Sequence, residues 1–153
     1  MSRKSSSRKP VRKCISPLLG SLVRDGAATG SNPLLLKSLI ALDAIHRGKG
    51  TPSLLTLLGQ QLLISEELCL AGYEQARLQS VREAHAALVK LDWDAASIDR
   101  WQATGAEYVT LREALEVYDD QLRSAPRAQV RDAQLATMNR LVDHAEKRRG
   151  QRS

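Results

Sequence analysis

The sequence predicts an all-α protein, a compact bundle of about four to six helices with disordered basic tails at its N- and C-terminal ends. Three observations carry this expectation. Of the 153 residues, 42% are hydrophobic and 26% charged, a globular balance, and no apolar run approaches the ~18 residues of a membrane span. Aromatics make up only 3% and Phe is absent, so a core of Leu and Ala suits packed helices better than a β-sandwich. No stretch of convincing length alternates apolar and polar residues with a period of two.

The small, polar run GAATGSN ends in Asn32-Pro33, an N-cap residue followed by the residue best tolerated in a first helical turn. The helix that follows carries Leu35, Leu36, Leu39, Leu42 and Ile45 or His46 on one face, and Gly48 stops it. Thr51-Pro52 repeats the cap and proline, so the first two helices pair antiparallel across a short connection. The second helix places Leu54, Leu55, Leu58, Leu62 and Ile64 together, then continues or restarts near Ser65. An apolar stripe at helical period runs from Leu68 through Ala71, Leu78, Val81, Ala84 and Leu88 to Leu91, with Gly72 as a point of bending or breakage. Trp93-Asp94 reads as the next turn. Trp101, Thr104, Tyr108, Leu111, Leu115, Tyr118 and Leu122 then recur at steps of three and four, a seam suited to a core or a dimer interface. Ser124 and Pro126 open a last helix with Val130, Leu135, Met138, Leu141 and Val142. The organisation is thus a basic arm (1–13), a short helix and linker (14–31), one helical domain (32–144) and a basic tail (145–153).

Charge is segregated along this chain. The formal net charge is +6, yet residues 1–13 alone carry Arg3, Lys4, Arg8, Lys9, Arg12 and Lys13 with no acid. Residues 145–153 add Lys147, Arg148, Arg149 and Arg152 against Glu146, which leaves a net −3 for residues 14–144. Basic arms neutralise phosphates without fixed geometry and so give salt-dependent, sequence-independent affinity for nucleic acid. A tail that only aids solubility has the same composition.

Motifs for chemistry fail on inspection. Gly48–Thr51 (GKGT) resembles the end of a phosphate loop, but Asp43 stands where its first Gly belongs and Gly50 where Ser or Thr should follow the Lys. His46, His85 and His144 lie too far apart for a metal motif, and the acid pairs Glu66-Glu67 and Asp119-Asp120 read as solvated faces. Cys14 and Cys69 make no disulfide framework, and Cys69 among Leu68, Leu70 and Ala71 reads as a reduced, buried thiol. The segment from about Ser65 to Glu83 has two readings. Gly72, Leu78 and Val81 fit the turn and second helix of a helix-turn-helix, in which Arg77 and Arg82 would meet base edges and phosphates beside Gln75 and Gln79. The other reading is a Gly-containing bend between two core helices, in keeping with Leu68 where a smaller residue is usual and with Glu74 and Glu83 near any DNA backbone.

The line LDAIHRGKGTPSLLTLLGQQLLISEELCLAGYEQ, with WQATGAEYVTLREALEVYDDQL later, resembles small helical proteins of Gram-negative bacteria, some labelled Fis-like transcriptional regulators. The resemblance spans roughly residues 34–124. It implies a bacterial accessory or regulatory protein and transfers no functional residue.

Two functions follow as expectations. One is a small nucleic-acid-associated regulator, with Arg3, Lys4, Arg8, Lys9, Arg12, Lys13, Arg77, Arg82, Lys147, Arg148 and Arg149 as contacts. The other is a helical protein-interaction module, an adaptor or inhibitor, with no nucleic-acid role. No nucleophile–base pair or metal constellation can be named, so no enzyme and no cofactor are expected. A homodimer or protein partner would use helical faces. The stretch CISPLLGSLV is short and broken by Pro17 and Gly20, which argues against a secretory signal. A cytoplasmic location is the expectation, with organellar targeting left open.

Overall fold

The computed structural model describes residues 32–151. The arm over 1–13, the segment 14–31 with Cys14, and Arg152 lie outside the described residues. Those described fold into five α-helices and no strand: α1 (Pro33–His46), α2 (Pro52–Leu70), α3 (Leu78–Ala96), α4 (Gly105–Ser124) and α5 (Arg127–Gly150). The all-α bundle predicted from composition and periodicity is the fold found. None of these helices is long and apolar enough to cross a membrane.

Local chemistry sets the helix ends. Asn32 Oδ1 accepts from Leu34 N–H at 3.0 Å, and Thr51 Oγ1 from Leu54 N–H at 3.3 Å, so both cap-and-proline starts act as expected. Gly48, at φ +73°, donates to Ile45 O while Lys49 donates to Ala44 O, which closes α1 in a Schellman turn. Gly72, at φ +103°, ends α2 in the same way, with Tyr73 N–H reaching Leu68 O. Between these two stops α2 is continuous through Ser65, with no restart there.

Two expectations need correction. Trp93-Asp94 is no turn: α3 runs on to Ala96, and the chain reverses only at Asp99, whose φ is +52°. Neither Trp nor Asp interrupts the hydrogen-bond ladder of a helix, so Trp93 sits on the helix surface, 83% exposed. The Trp101–Leu122 seam becomes helical only from Gly105, and Trp101 lies in the preceding loop, where its Nε1 donates to Asp92 Oδ1 at 3.0 Å. From Leu111 onward the seam faces the core of the monomer.

The main core joins four helices through Ala41, Leu42 and Ile45 of α1, Leu55, Leu58 and Leu62 of α2, Ala84, Leu88 and Leu91 of α3, and Leu111, Ala114 and Leu115 of α4. Helix α2 is the hub, packing against each of the other four. A second apolar cluster, around Ile64, Leu68, Tyr118 and Ala133, attaches the first half of α5. Each buried Leu or Ile contributes roughly 1.5–3 kcal/mol relative to exposure, so the main core dominates stability.

One end of the bundle is fixed by polar contacts. Gln121, fully buried on α4, accepts from Ser65 Oγ at 2.7 Å. Its amide nitrogen faces Ser65 O at 3.0 Å, Cys69 Sγ at 3.1 Å and Tyr73 O at 3.1 Å. Burial pushes the Cys69 thiol above its ordinary pKa, against a smaller opposing effect of the Gln121 contact. At the other end, His46 stacks on Tyr108 with centroids 4.0 Å apart, and its Nδ1 lies 3.1 Å from Ala103 O.

Candidate nucleic-acid interface

The segment with helix-turn-helix features is a helical hairpin. A Cβ placed on Gly59 would lie 3.6 Å from Leu88 Cδ2, Arg82 pairs with Glu66, and Cys69 clusters with Val81. These contacts step forward along α2 as they step back along α3. Gly59 is about 16 Å along the axis from the end of α2, at 1.5 Å per residue. Helices crossing at roughly 90–120°, as in a helix-turn-helix, would have diverged long before that point. The second reading of this segment, a Gly-containing bend between core helices, is the one the structure matches.

The arginines of that segment face carboxylates of their own fold. Arg77, in the short 3₁₀ turn Gln75–Arg77, pairs with Asp120 of α4 at 2.9 Å and with Glu74 at 3.8 Å. Arg82 Nε lies 3.2 Å from Glu66 Oε1, and the Glu66 side chain is mostly covered. The acid pair Glu66-Glu67 is therefore more than a solvated face. Adjacent residues on a helix point apart, so Glu66 reaches α3 through Arg82 while Glu67 reaches α5 through Arg140 at 2.6 Å. His85 sits beside this arrangement, and burial lowers its pKa from 6.5, with Glu66 opposing and Arg140 adding to the shift.

The linkage has a definite sign. Below about pH 6.5 an unfolded chain takes up a proton that folded His85 resists, so stability falls as the pH is lowered, until the folded group titrates. Urea unfolding of the parent and of His85→Gln at pH 7.5 and 5.5 measures this. The parent should lose more stability than the variant, and equal losses would exclude His85 as the source.

The C-terminal cations stand differently. Helix α5 continues past residue 145, so Lys147, Arg148 and Arg149 occupy its last turns instead of an irregular tail. Cations there also complement the negative end of the helix dipole. Arg148 borders a shallow surface groove with Leu141, His144 and Ala145. The apolar residues of α5 do not share one face. Val130, Ala133 and Thr137 face the body, whereas Leu135, Met138, Leu141 and Val142 are exposed.

Among the described residues no group of three or more His, Cys, Asp or Glu side chains could hold a metal ion. GKGT serves packing: a Cβ on Gly50 would stand 2.2 Å from Trp101 O, so the loop after α1 lies directly on the loop before α4. Of the site residues named from sequence, Arg3, Lys4, Arg8, Lys9, Arg12 and Lys13 lie outside the described residues. Arg77 and Arg82 join the body's ion pairs, and Lys147, Arg148 and Arg149 share the end of α5. Sequence reading missed Arg140 and Gln121, whose partners lie 73 and about 50 residues away and leave no local pattern. No family model matches the chain, and no curated protein or solved structure matches it.

Proposed function

We propose that the protein is a small helical accessory protein that holds nucleic acid by its phosphates, through its basic N-terminal arm and the basic end of α5. The observation that carries this reading is the segregation of charge. Within the body, Arg47, Arg77, Arg82, Arg112, Arg123 and Arg140 each pair with a carboxylate. Cations without acids among them are concentrated over residues 1–13, and a second group follows Glu146. Phosphate contact then needs no reading helix. Such binding is insensitive to base sequence, because charge neutralisation does not distinguish base edges.

The test is a fluorescence-anisotropy titration of two unrelated duplexes with the full chain, residues 14–153 and the Arg77→Ala/Arg82→Ala variant. Removal of 1–13 should weaken binding to both duplexes about equally. The double variant should bind both as the parent does and lose only stability, by about 1–2 kcal/mol, since partly exposed ion pairs contribute little. A change of sequence preference in the double variant would overturn this assignment and restore Arg77 and Arg82 as reading residues.

The exposed apolar residues of α5 favour a second reading, a protein-interaction module with no nucleic-acid role. Absence of DNA binding by the full chain at low salt would select it.

A further inference from the structure

Helix α5 carries two faces with different occupants. Val130, Ala133 and Thr137 lie against the body, and Arg140 on the same side is tied to Glu67. On the opposite side Leu135, Met138, Val142 and Ala145 follow steps of three, four and three, the spacing of a coiled-coil seam. Leu135 is 56% exposed, Met138 62% and Val142 52%, so the seam meets no other part of the fold closely. A seam of this kind on an otherwise polar helix has no role in the monomer's core.

The edges of the seam identify what covers it. In heptad terms Leu135 and Val142 occupy position a, and Met138 and Ala145 position d. One edge, position e, then carries Asp132, Asn139 and Glu146, and the other, position g, carries Arg127, Gln134, Leu141 and Arg148. One edge is acidic and the other basic. In a parallel pair of helices each g edge runs beside the partner's e edge, which sets Arg127 against the second copy's Asp132, Gln134 against its Asn139 and Leu141 against its Glu146. In an antiparallel pair e meets e, and Asp132 would oppose Glu146 twice. A face that is complementary to itself under a two-fold axis is the condition for an isologous dimer.

We propose that the protein pairs with a second copy of itself along this seam of α5, with the two helices parallel and the two bodies on the outside. The pairing brings both copies of Lys147 and Arg148 to one end and doubles the cation density there. It does not depend on nucleic-acid binding, and its test contains none.

Sedimentation equilibrium of the full chain in a Cys14→Ser background, from micromolar to near-millimolar concentration, should give a reversible dimer. Met138→Glu should be monomeric, and at the lowest concentration, where the parent is monomeric too, its melting temperature should match the parent's, because Met138 lies outside the core. Direction is read by oxidation. Ala145→Cys in the same background should cross-link to itself, since a parallel pair places position 145 beside its own copy. A monomer throughout the range would overturn the proposal, as would a dimer that survives Met138→Glu. Cross-linking of Ala145→Cys only when mixed with Leu135→Cys would overturn the parallel arrangement.

Discussion

Replacing Gln121 by Ala is expected to cost about 3 kcal/mol, the largest loss from any single polar side chain in this fold. The side chain is fully buried and serves the end of α2 and the turn after it from one position on α4. Its removal leaves the Ser65 hydroxyl and the Tyr73 carbonyl without their side-chain partner and opens a void beside Cys69. A buried polar group left unsatisfied costs roughly 1–3 kcal/mol, more than the bond contributed when made. For a domain of this size the melting temperature should drop by about 10 °C. Adding Ser65→Ala to Gln121→Leu should recover part of the loss, because one stranded hydroxyl disappears. Urea unfolding of the three variants measures both effects. A cost for Gln121→Ala below about 1 kcal/mol would show that the amide does not anchor this end of the bundle.

The second large effect is expected at Gly50. Its Cβ would fall 2.2 Å from Trp101 O and 2.8 Å from Trp101 Cβ, so one of the obstacles is backbone. The φ of Gly50 is not in the left-handed region, and the obstacle is contact alone. Gly50→Ala should therefore destabilise by about 2–3 kcal/mol, at the upper end of ordinary overpacking, by separating the loop after α1 from the loop before α4. Gly72→Ala is the informative comparison. Nothing lies within 4 Å of its Cβ, but its φ of +103° disfavours any side chain, so a cost of about 1 kcal/mol from backbone strain is expected. Thermal unfolding followed by far-UV circular dichroism should rank Gly50→Ala below Gly72→Ala. The reverse order would mean that the two loops part without penalty.

Features of the fold that depend on neighbouring residues were legible in the sequence. Asn32-Pro33 and Thr51-Pro52 start helices because a cap and a proline act within one turn, and Gly48 and Gly72 end them for the same reason. Periodicity marked an apolar face on each helix but said nothing of what covers it. Tyr118 and Leu135 look alike in sequence as members of such faces, yet Tyr118 is in the core and Leu135 is in solvent. Ion-pair partners were not legible either. Arg77 has Asp120, Arg82 has Glu66 and Arg140 has Glu67, and in each case the fold brings together residues on different helices. Arginines on a sequence pattern suggested a reading helix, and the pattern gave no sign that each has a carboxylate partner elsewhere in the fold. The basic ends were visible at once, because net charge is a sum over neighbours and needs no tertiary structure.

The most direct measurement is the salt dependence of duplex binding by the full chain between about 50 and 200 mM monovalent salt. Phosphate contact through the six cations of residues 1–13 should make log affinity fall linearly with log salt, with a slope approaching about −5, the same for duplexes of unrelated sequence. A slope near zero, or affinity for one sequence that persists at the higher salt, would contradict a phosphate-holding role for the basic ends.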